Sequence, residues 1–351
     1  MRLAVTIQVI MNRREFVALT AAPITAMSKS PSNVKLGIDL FSLRSQKWTP
    51  FEYLDYCAER NVQVVHFSEI RFLGNLEPAN LIAVRQHAVE RGLQIEIGMT
   101  SICPASKMFN PVLGSAEQQL TKMIAAAKTI GSPIVRAVLG SADDRKNGAI
   151  EARIDQVVQV LHNVRSRALD AGIKIAIENH AGDMQGRELK SLVEKAGPEF
   201  VGVCLDSGNP LWTIEDPHVT LDVLHPYVLT SHLRDSMVWK VPQGAAVTWV
   251  QMGRGNVDID SYVRKYVELC PGKALSLESI VFGPKILPYR NRAFWDAYRN
   301  TPAWEFERYL EIAERGKPYK DEPWETPDEA ARERAALDES LAYTKKLVGM
   351  V

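Results

Sequence analysis

Short apolar runs, many rich in β-branched residues, recur from Val34 onward, each followed by a stretch with helical amphipathicity. Candidate strands span 34–42, 62–68, 93–100, 133–140, 173–179, 201–206, 228–233 and 274–279. Helical stretches lie between them at 50–60, 78–91, 115–130, 149–171, 186–196, 216–225 and 258–270. A run such as Ile173-Lys174-Ile175-Ala176-Ile177 suits a parallel strand covered on both faces. Gly92, Gly131 and Gly172 stand where helices should end in a positive-φ cap before the next strand. Eight βα units in roughly 250 residues predict an α/β chain folded as a (β/α)8 TIM barrel over 34–282. A doubly wound open sheet is the rival, disfavoured because no nucleotide-binding glycine turn follows the first strand.

The flanks read differently. Residues 283–351 carry Pro284, Pro288, Pro302, Pro318, Pro323 and Pro327 among charged helical stretches. They are expected to form a helical extension packed on the barrel, shaping its mouth or a homo-oligomer contact. Residues 1–30 are expected to be an export signal or disordered. Arg13-Arg14, Phe16 and a short apolar stretch ending near Ile24-Thr25-Ala26 look like a twin-arginine signal for a periplasmic or secreted protein, with a cytoplasmic location as the alternative. Either Met1 or Met11 serves as the start. No run of about 18 apolar residues exists to form a stable membrane span.

Charge narrows the partners. The chain has 42 Lys plus Arg against 42 Asp plus Glu, a net charge of zero that disfavours nucleic acid as a ligand. The four cysteines, Cys57, Cys103, Cys204 and Cys270, show no CxxC spacing and read as buried small hydrophobes.

Chemistry in such a barrel gathers at the carboxyl ends of the strands. Glu178, Asp206, His232 and Glu278 end four consecutive candidate strands, with spacings of 28, 26 and 46 residues. The first two spacings are one βα unit each; the third is one unit plus a loop insertion over roughly 236–256. Adjacent strands stand about 5 Å apart, so the four side chains should converge. Three carboxylates and an imidazole suit one hard or borderline divalent ion, Mn²⁺, Mg²⁺ or Co²⁺, with Zn²⁺ also admissible in a non-structural role.

The segments Ile175-Ala176-Ile177-Glu178-Asn179-His180, Cys204-Leu205-Asp206-Ser207-Gly208-Asn209, Ser231-His232-Leu233-Arg234-Asp235 and Ser276-Leu277-Glu278 resemble those of the sugar phosphate isomerase/epimerase family of xylose isomerase-like barrels. Gly253-Arg254-Gly255-Asn256-Val257-Asp258 is similar to the glycine-rich turn after that family's seventh strand. The resemblance implies a divalent metal held by Glu178, Asp206, His232 and Glu278. It also implies that Glu178 and Glu278 are catalytic, moving a proton on opposite faces of a sugar carbon. The expected activity is a metal-dependent sugar isomerase or epimerase, abstracting a proton next to a carbonyl through a metal-stabilised enediolate. The expected partner is a small-molecule carbohydrate.

Around the quartet, His180 and Arg234 lie two residues beyond Glu178 and His232 and point the same way along an extended chain. His180 is expected to donate a hydrogen bond to substrate, and Arg234 to bind a hydroxyl or carboxylate or else pair with a loop acid. Glu69, ending the second strand, is a further substrate-binding candidate or a salt-bridge partner. Arg136 lies within an apolar strand; it should face the barrel interior, where it needs an acidic partner. His66 is expected in the barrel or helix layer rather than the site. Trp212, Trp239 and Trp249 could stack on a sugar ring or simply pack in loops.

Other functions remain in view. The same residues could drive β-elimination from a 3-keto glycoside, a lyase activity that fits an exported enzyme. A non-catalytic exported sugar-binding protein is disfavoured by the complete ligand quartet, and an endonuclease IV-like phosphodiesterase by the scarcity of strand-end histidines.

Overall fold

The computed structural model describes residues 34–146, 150–281, 283–320 and 326–350. The expected export signal lies outside them. Eight parallel strands close a barrel: β1 (Lys35–Asp39), β2 (Val64–Phe67), β3 (Gln94–Ser101), β4 (Ile134–Val138), β5 (Lys174–Glu178), β6 (Val201–Asp206), β7 (Val228–Leu233) and β10 (Ala274–Leu277). They pair in chain order, and β10 closes the ring on β1 through Lys35↔Ala274 to Ile38↔Leu277. Helices α1 (Pro50–Glu59), α2 (Pro78–Glu90), α3 (Ala116–Ile130), α4 (Ala142–Lys146), α5 (Ile150–Ala171), α6 (Gly186–Ala196), α7 (Pro217–Leu224) and α8 (Ile259–Leu269) lie in the connections. The (β/α)8 expectation holds strand for strand.

Local chemistry sets the helix ends. Thr49 and Glu52 form a capping box at α1, as Ser115 and Gln118 do at α3. Gly131 ends α3 in the left-handed conformation (φ 83°), and Gly92 and Gly172 also take positive φ.

Strand residues alternate between two environments. Leu36, Ile38, Val65, Ile97, Val135, Ile175, Val203 and Leu275 belong to the main apolar core, which the helices share. The alternate set includes Asp39, His66, Glu96, Arg136, Glu178, Asp206, Thr230 and His232, all buried. Its members contact one another, as where the Thr230 hydroxyl donates to Glu96 Oε2 at 2.6 Å. The barrel is therefore lined by a polar layer, a costly arrangement unless its members satisfy one another.

The expected loop over 236–256 is instead mostly a β-hairpin. Strands β8 (Asp235–Val241) and β9 (Gly244–Val250) pair antiparallel, and β11 (Lys285–Leu287) adds to β9, giving the order β11-β9-β8. The reason is packing: Val238, Val247 and Trp249 join Trp212, Tyr289, Tyr309 and Ile312 in a second apolar cluster.

The helical extension is present as α9 (Ala303–Arg315) and α10 (Glu329–Leu347). Asn256 ties the hairpin to α9, its amide donating to the Val238 and Ile312 carbonyls at 2.9 and 2.8 Å. Helix α10 lies across the barrel, where Glu333 accepts from the Ser45 amide at 2.9 Å and Ser340 accepts from the Met252 amide at 3.2 Å. Among the described residues no helix is long and apolar enough to cross a membrane.

Candidate metal centre

Glu178 and Asp206 are the last residues of β5 and β6, His232 is the penultimate residue of β7, and Glu278 immediately follows β10. Register brings them level: Asp206 pairs with His232, and His232 with Ser276. One ligand atom from each of the four lies within 4.8 Å of every other, and all four residues are buried. His232 Nδ1 sits between two glutamates, 3.2 Å from Glu178 Oε2 and 3.1 Å from Glu278 Oε2.

The backbone fixes Asp206 from both sides. Its amide donates to Asn179 Oδ1 and its carbonyl accepts from Asn179 Nδ2, each at 2.9 Å. The amides of Gly208 and Asn209 donate to Oδ1 at 2.7 and 2.8 Å, which leaves Oδ2 directed at the cluster. Asn209 also donates to Glu178 Oε1 at 3.2 Å.

Each glutamate has its own arginine. Arg136, in β4, donates to Glu178 Oε2 at 2.5 Å, so it faces the interior and has the acidic partner its burial demands. Arg234 pairs with Glu278 and lies 2.5 Å from Asp206 Oδ2. Its guanidinium stands 4.1 Å above the Trp249 ring, and its Nε and Nη1 are buried without a hydrogen-bond partner.

Charge follows from these contacts. Burial disfavours the Glu178 carboxylate, but Arg136 and His232 outweigh it and hold the carboxyl well below its ordinary range. Asp206 goes the other way: burial, only partly opposed by Arg234, pushes it up to about 7. For His232 burial alone would favour the neutral ring, yet the neighbouring Cys204, Glu178, Asp39 and Glu278 raise it well above an ordinary imidazole. So dense a buried acidic cluster wants a cation.

The donor set fits a divalent ion. His232 Nδ1 is a buried atom that satisfies no hydrogen bond, Asp206 Oδ2 is met only by the Arg234 guanidinium, and three carboxylates with one imidazole are the ligands such an ion takes.

The remaining candidates separate. His180 is half-buried, with Nδ1 2.7 Å from the Gly140 carbonyl. That carbonyl requires the proton on Nδ1, and burial favours the neutral ring, so Nε2 is left as an acceptor rather than the expected donor. Glu69 pairs with Arg71 at the end of β2 and is not brought into the quartet. Trp212 and Trp249 pack together, ring centroids 4.7 Å apart, and Trp239 is buried in the hairpin.

Sequence reading missed Asp39 and underrated His66. Asp39 ends β1 and caps the following turn, its Oδ1 accepting from the Phe41 amide at 2.8 Å. Its Oδ2 lies 3.3 Å from His232 Nε2, and His66 Nδ1 lies 3.1 Å from that same nitrogen. Asp39 ends its strand as the quartet residues end theirs, and that was the available signal.

Barrel, strand-end carboxylates and imidazole together define a (β/α)8 protein with a candidate single-ion centre at its mouth. The chain belongs to the xylose isomerase-like TIM barrel family, whose profile matches residues 54–280. It is 23% identical over 210 residues to 3-oxo-isoapionate decarboxylase of Pectobacterium atrosepticum, covering 59% of this chain and 69% of the relative. Its fold is similar to that of a D-psicose 3-epimerase solved in the presence of D-fructose (TM-score 0.61, 14% identity, 90% and 100% of the two chains). It is also similar to that of an L-ribulose 3-epimerase (TM-score 0.58, 14% identity, 90% and 95%).

Proposed function

We propose that this protein is a divalent-metal-dependent sugar isomerase or epimerase that abstracts a proton next to a carbonyl. The observation that carries the reading is the convergence of Glu178, Asp206, His232 and Glu278 within 4.8 Å from the ends of four consecutive barrel strands. Those four residues would hold the ion. When bound, it supplies Lewis-acid stabilisation to the substrate carbonyl and its neighbouring hydroxyl.

The chain's own groups do the rest. Glu178 and Glu278 stand 3.2 and 3.1 Å from His232 Nδ1, and in this reading one carboxylate takes a proton from one face of a carbon while the other returns it to the opposite face. Arg136 and Arg234 keep these glutamates paired and oriented. The unpartnered Nε–H and Nη1–H of Arg234 are donors for a substrate hydroxyl or carboxylate, and His180 Nε2 accepts from a hydroxyl. Glu69 would bind substrate through the carboxylate oxygen that Arg71 does not engage.

A second reading uses the same first step. Proton removal from C2 of a 3-keto glycoside leaves an electron pair that forms the C1–C2 double bond. The C1–O bond breaks and the departing oxygen takes a proton, giving an unsaturated keto sugar and an alcohol. The decarboxylase relative, named for a 3-oxo substrate, favours keeping this β-elimination beside isomerisation. Arg13-Arg14 ahead of a short apolar stretch supports export, which cell fractionation would test.

The deciding experiment is elemental analysis of protein purified without chelator, beside Glu178→Gln and Asp206→Asn. About one equivalent of Mn, Mg, Co or Zn, lost in both variants with a lower melting temperature, supports the reading. No metal after reconstitution, and unchanged melting in the variants, removes it and leaves a sugar-binding protein.

A further inference from the structure

A cavity of about 1130 Å³ opens beside the metal centre, between the turns after β4, β5 and β6 and the segment 285–299. The quartet does not line it, but chain and contacts join the two. Ser141 and Ala181 in its wall are neighbours of Gly140 and His180, which are bonded to each other. Trp212, another wall, packs on Trp249, over which Arg234 stands. The volume exceeds the roughly 300–1,000 Å³ of sites that enclose drug-sized ligands. One monosaccharide bound at the metal centre would leave it empty.

The lining selects the guest. One side is aromatic and apolar: Trp212, Ile286, Phe294 and Tyr298, the last two stacked with centroids 4.7 Å apart. Of the charged groups of the other side, Lys146 pairs with Asp143 at 2.6 Å, Arg299 with Asp296 at 2.8 Å, and Arg145 with Glu188 outside the wall at 2.6 Å. Lys285 lies 4.8 Å over the Trp212 ring. With Lys285 the one lining cation outside an ion pair among the described residues, the wall makes a poor site for a phosphate, whereas a ring with an apolar face and hydroxyl edges matches aromatic walls and a polar floor.

We infer that this cavity is a subsite for an uncharged, ring-sized substituent, so that the substrate is a glycoside carrying a second sugar or a phenolic ring rather than a free monosaccharide. The inference rests on the proposed proton abstraction for its reaction, though not for its binding.

The test compares the 3-keto derivatives of methyl and phenyl β-D-glucopyranoside in solvent-deuterium uptake or elimination by the metal-loaded protein. Alongside, calorimetry compares the parent methyl and phenyl glucosides. The phenyl compounds should be preferred about tenfold, and Phe294→Ala and Ile286→Trp, which opens or fills the cavity, should bring the ratio near unity. Ile286 is 47% exposed, so its replacement leaves the fold intact. Turnover of both keto sugars at equal efficiency overturns the subsite and spares the reaction. No turnover of either refutes the reaction, and the calorimetric ratio then decides the subsite alone: a phenyl preference lost in the variants upholds it, and equal affinities overturn it.

Discussion

His232 Nε2 lies 3.1 Å from His66 Nδ1, deep in the barrel and on the side of the ring away from the quartet. Burial, reinforced by the neighbouring His232, pushes His66 down to about 3, so this ring is neutral. With His66 Nδ1 accepting, His232 would keep its proton on Nε2 when a metal ion displaces the one on Nδ1. The contact thereby selects the tautomer a metal ligand needs. His66→Phe should weaken Mn²⁺ binding about 10- to 100-fold in a chelator-competition titration. Unfolding of the metal-free variant, measured in parallel, separates lost affinity from lost folding. Unaltered affinity would mean that Asp39 orients His232 without help.

Arg234 serves as a positive charge shared by Asp206 and Glu278. In Arg234→Met those acids lose their buried counter-charge, at a cost of about 3–5 kcal/mol to the metal-free protein. Because a divalent ion would supply the missing charge, Mn²⁺ should raise the denaturant midpoint of the variant more than that of the wild type. A smaller rise in the variant would show that ion and guanidinium do not answer to the same carboxylates.

Gly208 tests the same arginine sterically. A Cβ there would come within 2.6 Å of Arg234 Cδ and 2.9 Å of Trp249 Cδ1, although the Gly208 backbone, at φ −93°, would accept alanine. Gly208→Ala should therefore move the guanidinium and lower kcat/KM by about tenfold, equivalent to about 1.4 kcal/mol. Circular dichroism should show an unchanged fold, and wild-type kcat/KM would count against any role of Arg234 at the substrate.

Away from the centre, burial pushes Glu215 up to about 7, although Thr220 and the Gly186 amide bond to its carboxylate. The folded protein therefore holds a proton that the unfolded chain releases above its ordinary value of 4.5. Stability from this group is full below that value and is lost as pH rises to about 7. Glu215→Gln should remove on the order of 1–3 kcal/mol of this decline, as measured by urea unfolding at pH 5 and pH 8. Equal declines in both proteins would place the carboxyl in contact with water.

The barrel was legible because each βα unit announces itself locally, by an apolar run, an amphipathic stretch and often a glycine cap. The quartet was legible because its members stand at or beside strand ends. Asp39 escaped because the first apolar run continues through Leu40 and Phe41, which hid the end of β1 at Asp39. The hairpin escaped for a different reason: its strands gain their apolar partners from Tyr289, Tyr309 and Ile312, which come far later in the chain, beyond the last barrel strand. The pairing of Arg136 with Glu178 and Arg234 with Glu278 depends on where adjacent strands place their side chains, which spacing alone does not encode.

The accessory sheet carries a liability. Its central strand, β9, is protected on one side by β8 and on the other by only the three residues of β11, which come from beyond the barrel. A chain cut just after Glu278 would keep all eight barrel strands and the whole quartet. It would also bare a row of unpaired amides and carbonyls along β9, beside Val247 and Trp249. Such an open edge invites another molecule to add a strand, so the trimmed barrel would be a self-adhesive one.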